Sequence, residues 1–290
     1  MRVIDIINAN KAKDRPTVSF EVFPPKTTVN FDNVMKATGE IAKLQPDFMS
    51  VTYGAGGGTS DFTVSVAENI KNCGVTPLVH LTCVSSTQAD VARQIEKIKN
   101  SGMENILALR GDIPDGSPFP ENAQFKYASQ LIREIKKHGD FCIGGACYPE
   151  KHPEAPTFAD DIRHIKEKVD AGCDFLTTQM FFDNNILYNY LYKIREAGIT
   201  IPVVAGIMPV TNAKQTERIC KISGNFLPQR FKLITDKFGS CPDSMKQAGI
   251  AYATEQIIDL LANGVSCIHI YCMNSPDVAR KIKENLSYII

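Results

Sequence analysis

Glu21 stands in the run Ser19-Phe-Glu-Val-Phe-Pro-Pro25, with Phe20, Val22 and Phe23 around it and two prolines stiffening the chain behind it. A carboxyl group in such a partly apolar setting is expected to have a raised pKa and to act as a general acid near neutral pH; the competing reading is a surface glutamate on an edge strand. Arg110-Gly111-Asp112 closes a second apolar run, Ile106 to Leu109. A cation, a glycine that lets backbone come close and an anion suit a phosphate or a flavin edge beside a charged substrate group, or else form a local ion pair. Asp161, His164 and Lys168 lie at i, i+3 and i+7 on one helical face, by default a solvated polar stripe. The run Gly54 to Ser60 has Thr59 where GxGxxG needs its third glycine, and no GxxxxGK[ST] occurs, so a dinucleotide would be held by loops. His80, His152 and His164 lack a metal-ligand spacing. There is no CxxC pair either, and no metal is expected.

Such residues need a scaffold, and the chain repeats one. Short apolar, β-branched runs recur at Val18 to Phe23, Phe48 to Tyr53, Pro77 to Thr82, Ile106 to Arg110, Phe141 to Ala146, Phe175 to Met180, Val203 to Ile207 and Cys267 to Tyr271. Most are spaced by roughly 30 residues, the length of a βα unit. The segments between show helical period: Val91, Ile95 and Ile98 share a face, as do Phe158, Ile162, Ile165 and Val169. Thr87 with Asp90 and Thr157 with Asp160 have the spacing of capping boxes. Gly74, Gly102, Gly139, Gly172, Gly198 and Gly264 each precede a strand, as left-handed helix ends would. Eight such units predict a single (β/α)₈ barrel over residues 1–290, with a doubly wound open sheet as the rival. The long gap between Ile207 and Cys267 predicts an extra helical insertion, Phe226 to Phe238, before the last strand.

A barrel of this kind puts its chemistry at the carboxyl ends of the strands. Glu21, Thr52 and Tyr53, His80, Arg110 to Asp112, Tyr148, Gln179 and Tyr271 to Asn274 all fall there. Taken singly, each could be an ordinary satisfied polar residue; taken together they mark a rim.

The chain has 290 residues, 43% hydrophobic and 22% charged, with 32 basic and 32 acidic side chains and a formal net charge of zero. No long-range field gathers phosphate backbones or anionic lipid, so neither nucleic acid nor membrane is expected as a partner. Met1 to Asn10 carries Arg2 and Asp5, and no run approaches the length of a membrane span, which predicts a cytoplasmic protein. The nine cysteines are odd in number and mostly in apolar runs, as reduced core residues would be.

These motifs together resemble the flavin-dependent methylenetetrahydrofolate reductases of bacteria. The matching blocks are residues 19–25, Ser-Val-Thr-Tyr-Gly-Ala at 50–55, His-Leu-Thr-Cys at 80–83, Ala-Leu-Arg-Gly-Asp-Ile-Pro at 108–114, Tyr-Pro-Glu-Lys-His-Pro-Glu-Ala at 148–155, Thr-Gln-Met-Phe-Phe-Asp at 178–183 and Gly-Ile-Met-Pro-Val at 206–210. They run in order along nearly the whole chain. The resemblance implies a barrel holding FAD at its carboxyl face and a two-step relay: NADH or NADPH reduces FAD and leaves, then 5,10-methylenetetrahydrofolate takes its place and becomes 5-methyltetrahydrofolate.

It further implies residue roles. Glu21 would be the general acid that assists opening of the folate's five-membered ring to a 5-iminium cation, Asp112 would stabilise that cation, and Gln179 and Gln215 would hold the folate. FAD would be bound by Tyr53, Ala55, His80, Arg110, Gly111, Asp112, Ala128, Tyr148, His152, Ala155, Asp161, His164 and Lys168, with Thr52 beside the nicotinamide or pterin. His164 stands where relatives can carry asparagine, and Ser275 where some carry an arginine that pairs with the folate's glutamate tail. The carboxyl-terminal domain through which eukaryotic relatives respond to S-adenosylmethionine has no counterpart here, so that regulation is expected to be missing. A homo-oligomer is expected. Two rivals stay open: the same folate reaction fed by a redox partner protein, and a non-redox pterin-binding methyl-transfer barrel.

Overall fold

A computed structural model describes residues 1–25, 27–53, 60–84, 86–113, 119–120 and 123–290, without the side chains of residues 60, 61, 215, 217, 218, 221 and 222. Eight parallel strands form a closed barrel in chain order: β1 (Thr17–Val22), β2 (Phe48–Val51), β3 (Thr76–Thr82), β4 (Asn105–Leu109), β5 (Cys142–Cys147), β6 (Phe175–Thr178), β7 (Val203–Ile207) and β8 (Cys267–Ile270). The ring closes where β1 pairs with β8, Thr17 opposite Cys267 and Phe20 opposite Ile270. Closure excludes the open-sheet alternative, because an open sheet leaves two edge strands unpaired.

Helices α1 (Val3–Ala12), α2 (Phe31–Ala42), α3 (Ser60–Asn72), α4 (Gln88–Asn100), α5 (Ala128–His138), α6 (Phe158–Asp170), α7 (Asn184–Glu196), α8 (Ala213–Ser223), α9 (Gln229–Phe238), α10 (Pro242–Ala262) and α11 (Pro276–Asn285) complete the chain. The insertion expected between β7 and β8 is α9, lying between α8 and α10. The α4 start is a full capping box: Thr87 Oγ1 accepts from Asp90 N–H, and Asp90 accepts from Thr87 N–H. At α6 the structure gives only half of the expected box. Thr157 accepts from Asp160 N–H, while Asp160 is engaged chiefly by the Thr157 hydroxyl, with the Thr157 backbone the weaker contact. All six strand-preceding glycines have positive φ; five close a left-handed turn, and Gly139, at φ 153° and ψ −177°, takes an extended conformation open only to glycine.

Alternation along each strand separates two cores. Outward residues such as Phe20, Val22, Met49, Val79 and Ile106 pack under the helices. Inward residues Phe48, Leu78, Leu107, Cys142, Phe175, Val204 and Cys267 fill the lower barrel, and Val3 and Ile7 of α1 close it from below. There is no room to spare: a Cβ on Gly144 would come within 2.6 Å of Phe175 and 2.7 Å of Leu107. Asn105, fully buried, holds the plug in place by accepting from Val3 N–H at 2.8 Å and donating to the Met1 and Pro77 carbonyls. This amino-terminal helix was not anticipated. Of the nine cysteines, Cys83, Cys142, Cys147, Cys173, Cys267 and Cys272 are buried, and all nine are free thiols.

Candidate functional site

Two residues above the apolar floor, the same inward faces turn polar. Ser19 and Glu21 follow one another on β1, Ser50 follows Phe48 on β2, His80 follows Leu78 on β3, and His269 follows Cys267 on β8. Strand register makes them neighbours, Ser19 opposite His269 and Glu21 opposite Ser50. Ser19 Oγ lies 2.7 Å from His269 Nδ1, and Ser50 Oγ lies 3.2 Å from His269 Nε2 and donates to Glu21 Oε2 at 3.3 Å. His80 Nε2 and His269 Nε2 each stand 3.6 Å from Glu21 Oε2.

The expected raised pKa of Glu21 is corrected by this group. Burial alone pushes its carboxyl up, but the His269 contact, the fields of His80 and His269 and the Ser50 hydroxyl outweigh it and hold the group below the ordinary glutamate value. Those influences are not equal at neutral pH. Burial drives His80 down to about 4, so its ring is neutral there and lends no charge. Glu21 therefore rests as a carboxylate with one-fifth of its side chain open to the mouth.

On the far side of the rim a second group forms at the ends of β4 and β5. Gly111 has φ 92°, and a Cβ there would approach Thr82 at 3.1 Å and Val84 at 3.2 Å, so a glycine is needed where the chain passes close to the β3 loop. The Arg110 guanidinium grips Glu154 with both terminal nitrogens, at 2.5 and 2.6 Å. Tyr148 packs edge-on against His152, with ring centroids 4.6 Å apart, and burial lifts its phenol to about 12. His152 Nδ1 accepts from Glu154 N–H, and burial followed by the Arg110 charge lowers its pKa.

The helical stripe is not a solvated face. Asp161 is 4% exposed, with Oδ2 buried and unpartnered, and desolvation raises its pKa. Lys168 runs inward to donate to the Ala146 carbonyl at 2.7 Å, and desolvation lowers its pKa. His164 stacks on Tyr127, with 6.0 Å between centroids. Ala128 and Ala155 are buried nearby in sequence terms, at the start of α5 and in the loop before α6.

Thr52 and Tyr53 follow β2, half-buried, with the Thr52 carbonyl accepting from Thr63 Oγ1 at 3.1 Å. Gln179 follows β6, and its Oε1 accepts from Met180 N–H. Asp112 is exposed on the rim next to Arg110. Ala55 and the glycine run 54–59 lie outside the described residues, as does the side chain of Gln215, whose backbone belongs to α8. His269, Ser19 and Ser50 are site residues that sequence reasoning missed. The missed signal was the two-residue alternation in Cys267-Ile-His-Ile-Tyr271, which places His269 inward. Tyr271 completes that face: its ring packs edge-on to His269 at 5.2 Å, and its hydroxyl donates to the Thr178 carbonyl at 2.6 Å. Gly206 makes room for it, since a Cβ there would come within 2.6 Å of that hydroxyl.

The rim thus carries a proton-exchanging group on the β8, β1, β2 and β3 side. Across from it stands an arm with a guanidinium, an inward-running amine, a carboxylate with one oxygen unpartnered and a bare backbone turn. The latter set fits a ligand with phosphate and hydroxyl groups: the Arg110 charge for an anion that displaces Glu154 from the fork, Asp161 Oδ2 for a donor it lacks, and Gly111 for close approach. Among the described residues, no three His, Cys, Asp or Glu side chains converge as metal ligands, and no helix is long and apolar enough to cross a membrane.

A family profile described as Methylenetetrahydrofolate reductase matches residues 6–287. The chain is 34% identical over 270 residues to 5,10-methylenetetrahydrofolate reductase of Salmonella typhimurium, covering 93% of this chain and 90% of that one. It is 34% identical over 304 residues to methylenetetrahydrofolate reductase (NADH) 1 of Zea mays, covering all of this chain and 51% of the maize protein. The chain thus spans about half the length of the plant and yeast relatives it matches. Among solved structures, a Clostridium thermocellum protein described as binding two copies of 5-methyl-5,6,7,8-tetrahydrofolic acid superposes with a TM-score of 0.67 at 14% identity, over 98% of this chain and all of the other. At that identity the likeness is one of fold.

Proposed function

The chain belongs to the methylenetetrahydrofolate reductase family, and on that premise we propose that it reduces 5,10-methylenetetrahydrofolate to 5-methyltetrahydrofolate with electrons from NADH or NADPH passed through bound FAD. The observation that carries the reading is Glu21 in one hydrogen-bonded group with Ser50 and His269 at the open end of the barrel, in a chain that keeps the family's motifs. FAD, when bound, supplies the hydride chemistry, and the protein supplies orientation and proton handling.

Arg110 and Lys168 would provide positive charge for the flavin's phosphates, Asp161 would accept from its hydroxyls, and the bare Gly111 turn would admit it close to the backbone. Tyr53, Ala55, His80, Asp112, Ala128, Tyr148, His152, Ala155 and His164 shape the remainder of that site. Thr52 and Gln179 would contact the ligand that exchanges with the nicotinamide, and Gln215 is assigned to the same ligand by resemblance to the family. Asp112, exposed at the rim, stabilises the cation that forms as the folate ring opens.

Glu21 rests ionised, so it must take up a proton before it can give one. Substrate rings covering the mouth remove its remaining water, which favours the neutral form. The Ser50 and His269 contacts define a path by which a proton reaches it. We place the protein in the cytoplasm as a homo-oligomer, with the maize relative's name favouring NADH as donor.

The test is the visible spectrum of anaerobic protein, chemically reduced and then mixed with methylenetetrahydrofolate. Return of oxidised flavin bands is expected. A colourless protein that takes up no added FAD defeats the flavoenzyme reading, and a yellow protein that stays reduced defeats the folate assignment. If folate turnover persists while neither nicotinamide bleaches the flavin, the donor is a redox protein instead.

A further inference from the structure

Pairing between β1 and β8 stops at Phe20 opposite Ile270, one residue short of Glu21. On its other side Glu21 remains in register with Ser50 of β2, and that ladder runs on to Val22 opposite Val51. The β8 side of the Glu21 segment therefore needs another restraint. The chain beyond β8 supplies one by turning back on itself. Met273 and Asn274 both have φ 53°, a left-handed conformation that asparagine tolerates and methionine rarely adopts. This double turn brings the Asn274 carboxamide onto the backbone of Phe23. Asn274 Oδ1 accepts from Phe23 N–H at 2.9 Å, and Asn274 Nδ2 donates to the Phe23 carbonyl at 2.9 Å. Just before it, Cys272 Sγ donates to the Glu21 carbonyl at 3.3 Å.

One side chain thus does what a neighbouring strand would do, satisfying both backbone groups of one residue. We propose that Asn274 is a positioning residue that extends the β1–β8 seam past the end of the sheet and holds Glu21 in its place between Ser50, His80 and His269. The inference rests on the reading of Glu21 as the proton donor of the folate step. Asparagine meets every demand of the position: it accepts a left-handed φ, and it carries a donor and an acceptor on one short, flat group. Aspartate lacks the donor, and alanine lacks both. The clamp is built on exposed backbone, since Phe23 is 37% exposed; without Asn274 these groups would turn to water and the segment would be released.

The experiment compares Asn274→Ala and Asn274→Asp with wild type and Glu21→Gln, measuring flavin reduction by nicotinamide and flavin reoxidation by folate separately. In Asn274→Ala, reoxidation is expected to slow by on the order of ten- to a hundredfold with little change in half-saturating folate, because misplacement of a reacting group lowers the rate of the chemical step. Reduction by nicotinamide should be unchanged. The pH profile of reoxidation should move upward as Glu21 loses the contacts that hold its carboxyl low, a change that general destabilisation would not cause. Asn274→Asp keeps the acceptor toward Phe23 N–H and should fall between the two; it serves if the alanine variant does not fold.

A wild-type rate and pH profile in Asn274→Ala overturns the proposal, and so does equal loss in both half-reactions. If wild type itself shows no folate-dependent reoxidation, the functional reading is what fails. The clamp is then judged by amide hydrogen exchange at Phe23, protected in wild type and fast in Asn274→Ala; equal exchange in the two proteins overturns it independently.

Discussion

The floor and the mouth of this barrel are built from the same strands, two residues apart, and obey opposite rules. At the floor, Phe48, Leu78, Leu107, Cys142, Phe175, Val204 and Cys267 meet Val3 and Ile7, and the polar side chains buried beside them, Thr17 and Asn105, are uncharged and hydrogen-bonded. One layer up, Ser50, His80 and His269 surround a carboxylate. The floor gains stability from apolar area removed from water; the mouth gives some of it up to hold charge where charge is useful. Two neighbouring layers can differ this much because alternation makes each inward position an independent choice.

The comparison is sharpened most by Glu21→Gln. Folate-dependent reoxidation of the flavin is expected to drop by roughly a hundredfold or more, the scale on which general acids contribute, while reduction by nicotinamide and the unfolding midpoint stay near wild type. Stopped-flow measurement of the two half-reactions checks it, and equal loss in both would contradict the assigned role. The floor should behave in the reverse way. Phe175→Ala is expected to cost about 3–5 kcal/mol by denaturant unfolding, with turnover of the remaining folded enzyme preserved. A large loss of kcat without loss of stability would erase the distinction between the layers.

The mouth has its own stability cost, visible in acid. His80 falls to about 4 in the fold from an ordinary value of 6.5, and Glu21 is also held below its ordinary value, so the unfolded chain binds more protons than the folded one. The His80 contribution is complete above its unfolded value and is lost as pH falls toward about 4; the Glu21 contribution is lost lower still. His80→Gln removes the first loss. Between about pH 7 and pH 4 wild type should lose roughly 3 kcal/mol more than this variant, a figure that follows from the size of the His80 shift. Unfolding curves across that range decide it. Thr87→Ala touches neither layer and removes only the α4 cap; it should cost about 1 kcal/mol with no change in either half-reaction or in the acid slope.

Much of this was readable in the chain. The eight strands lie within one or two residues of their apolar runs, because in a parallel barrel such runs are buried on both faces and stand out from amphipathic helices. The same double burial explains the error at Glu21. Phe20 and Val22 are adjacent in sequence but point outward beneath the helices, so they do not line the carboxyl group, which instead meets Ser50 from the next strand. Flanking residues on a strand report the opposite face. His269 escaped notice for a related reason, since its partner Ser19 is set by a register that only the folded ring defines.

Helix α1 was missed on different grounds. Met1 to Asn10 shows charges at Arg2 and Asp5, while Val3, Ile6, Ile7 and Asn10, buried at i, i+3, i+4 and i+7, carry the helical signal. The stripe at Asp161 and Lys168 has helical spacing, as expected, but its burial comes from contacts made across the fold, with the His152 backbone against Asp161 and the Ala146 carbonyl against Lys168. No local pattern encodes that.

The closure of β1 against β8 has a consequence for how the protein is made. Ser19 and His269 are separated by 250 positions, so during synthesis the first strand leaves the ribosome long before its final partner exists. Until then β1 presents an unpaired edge, and any truncated chain lacking β8 lacks both the closed ring and His269, one of the three side chains set around Glu21. The group around Glu21 therefore comes together only after β8 has been made.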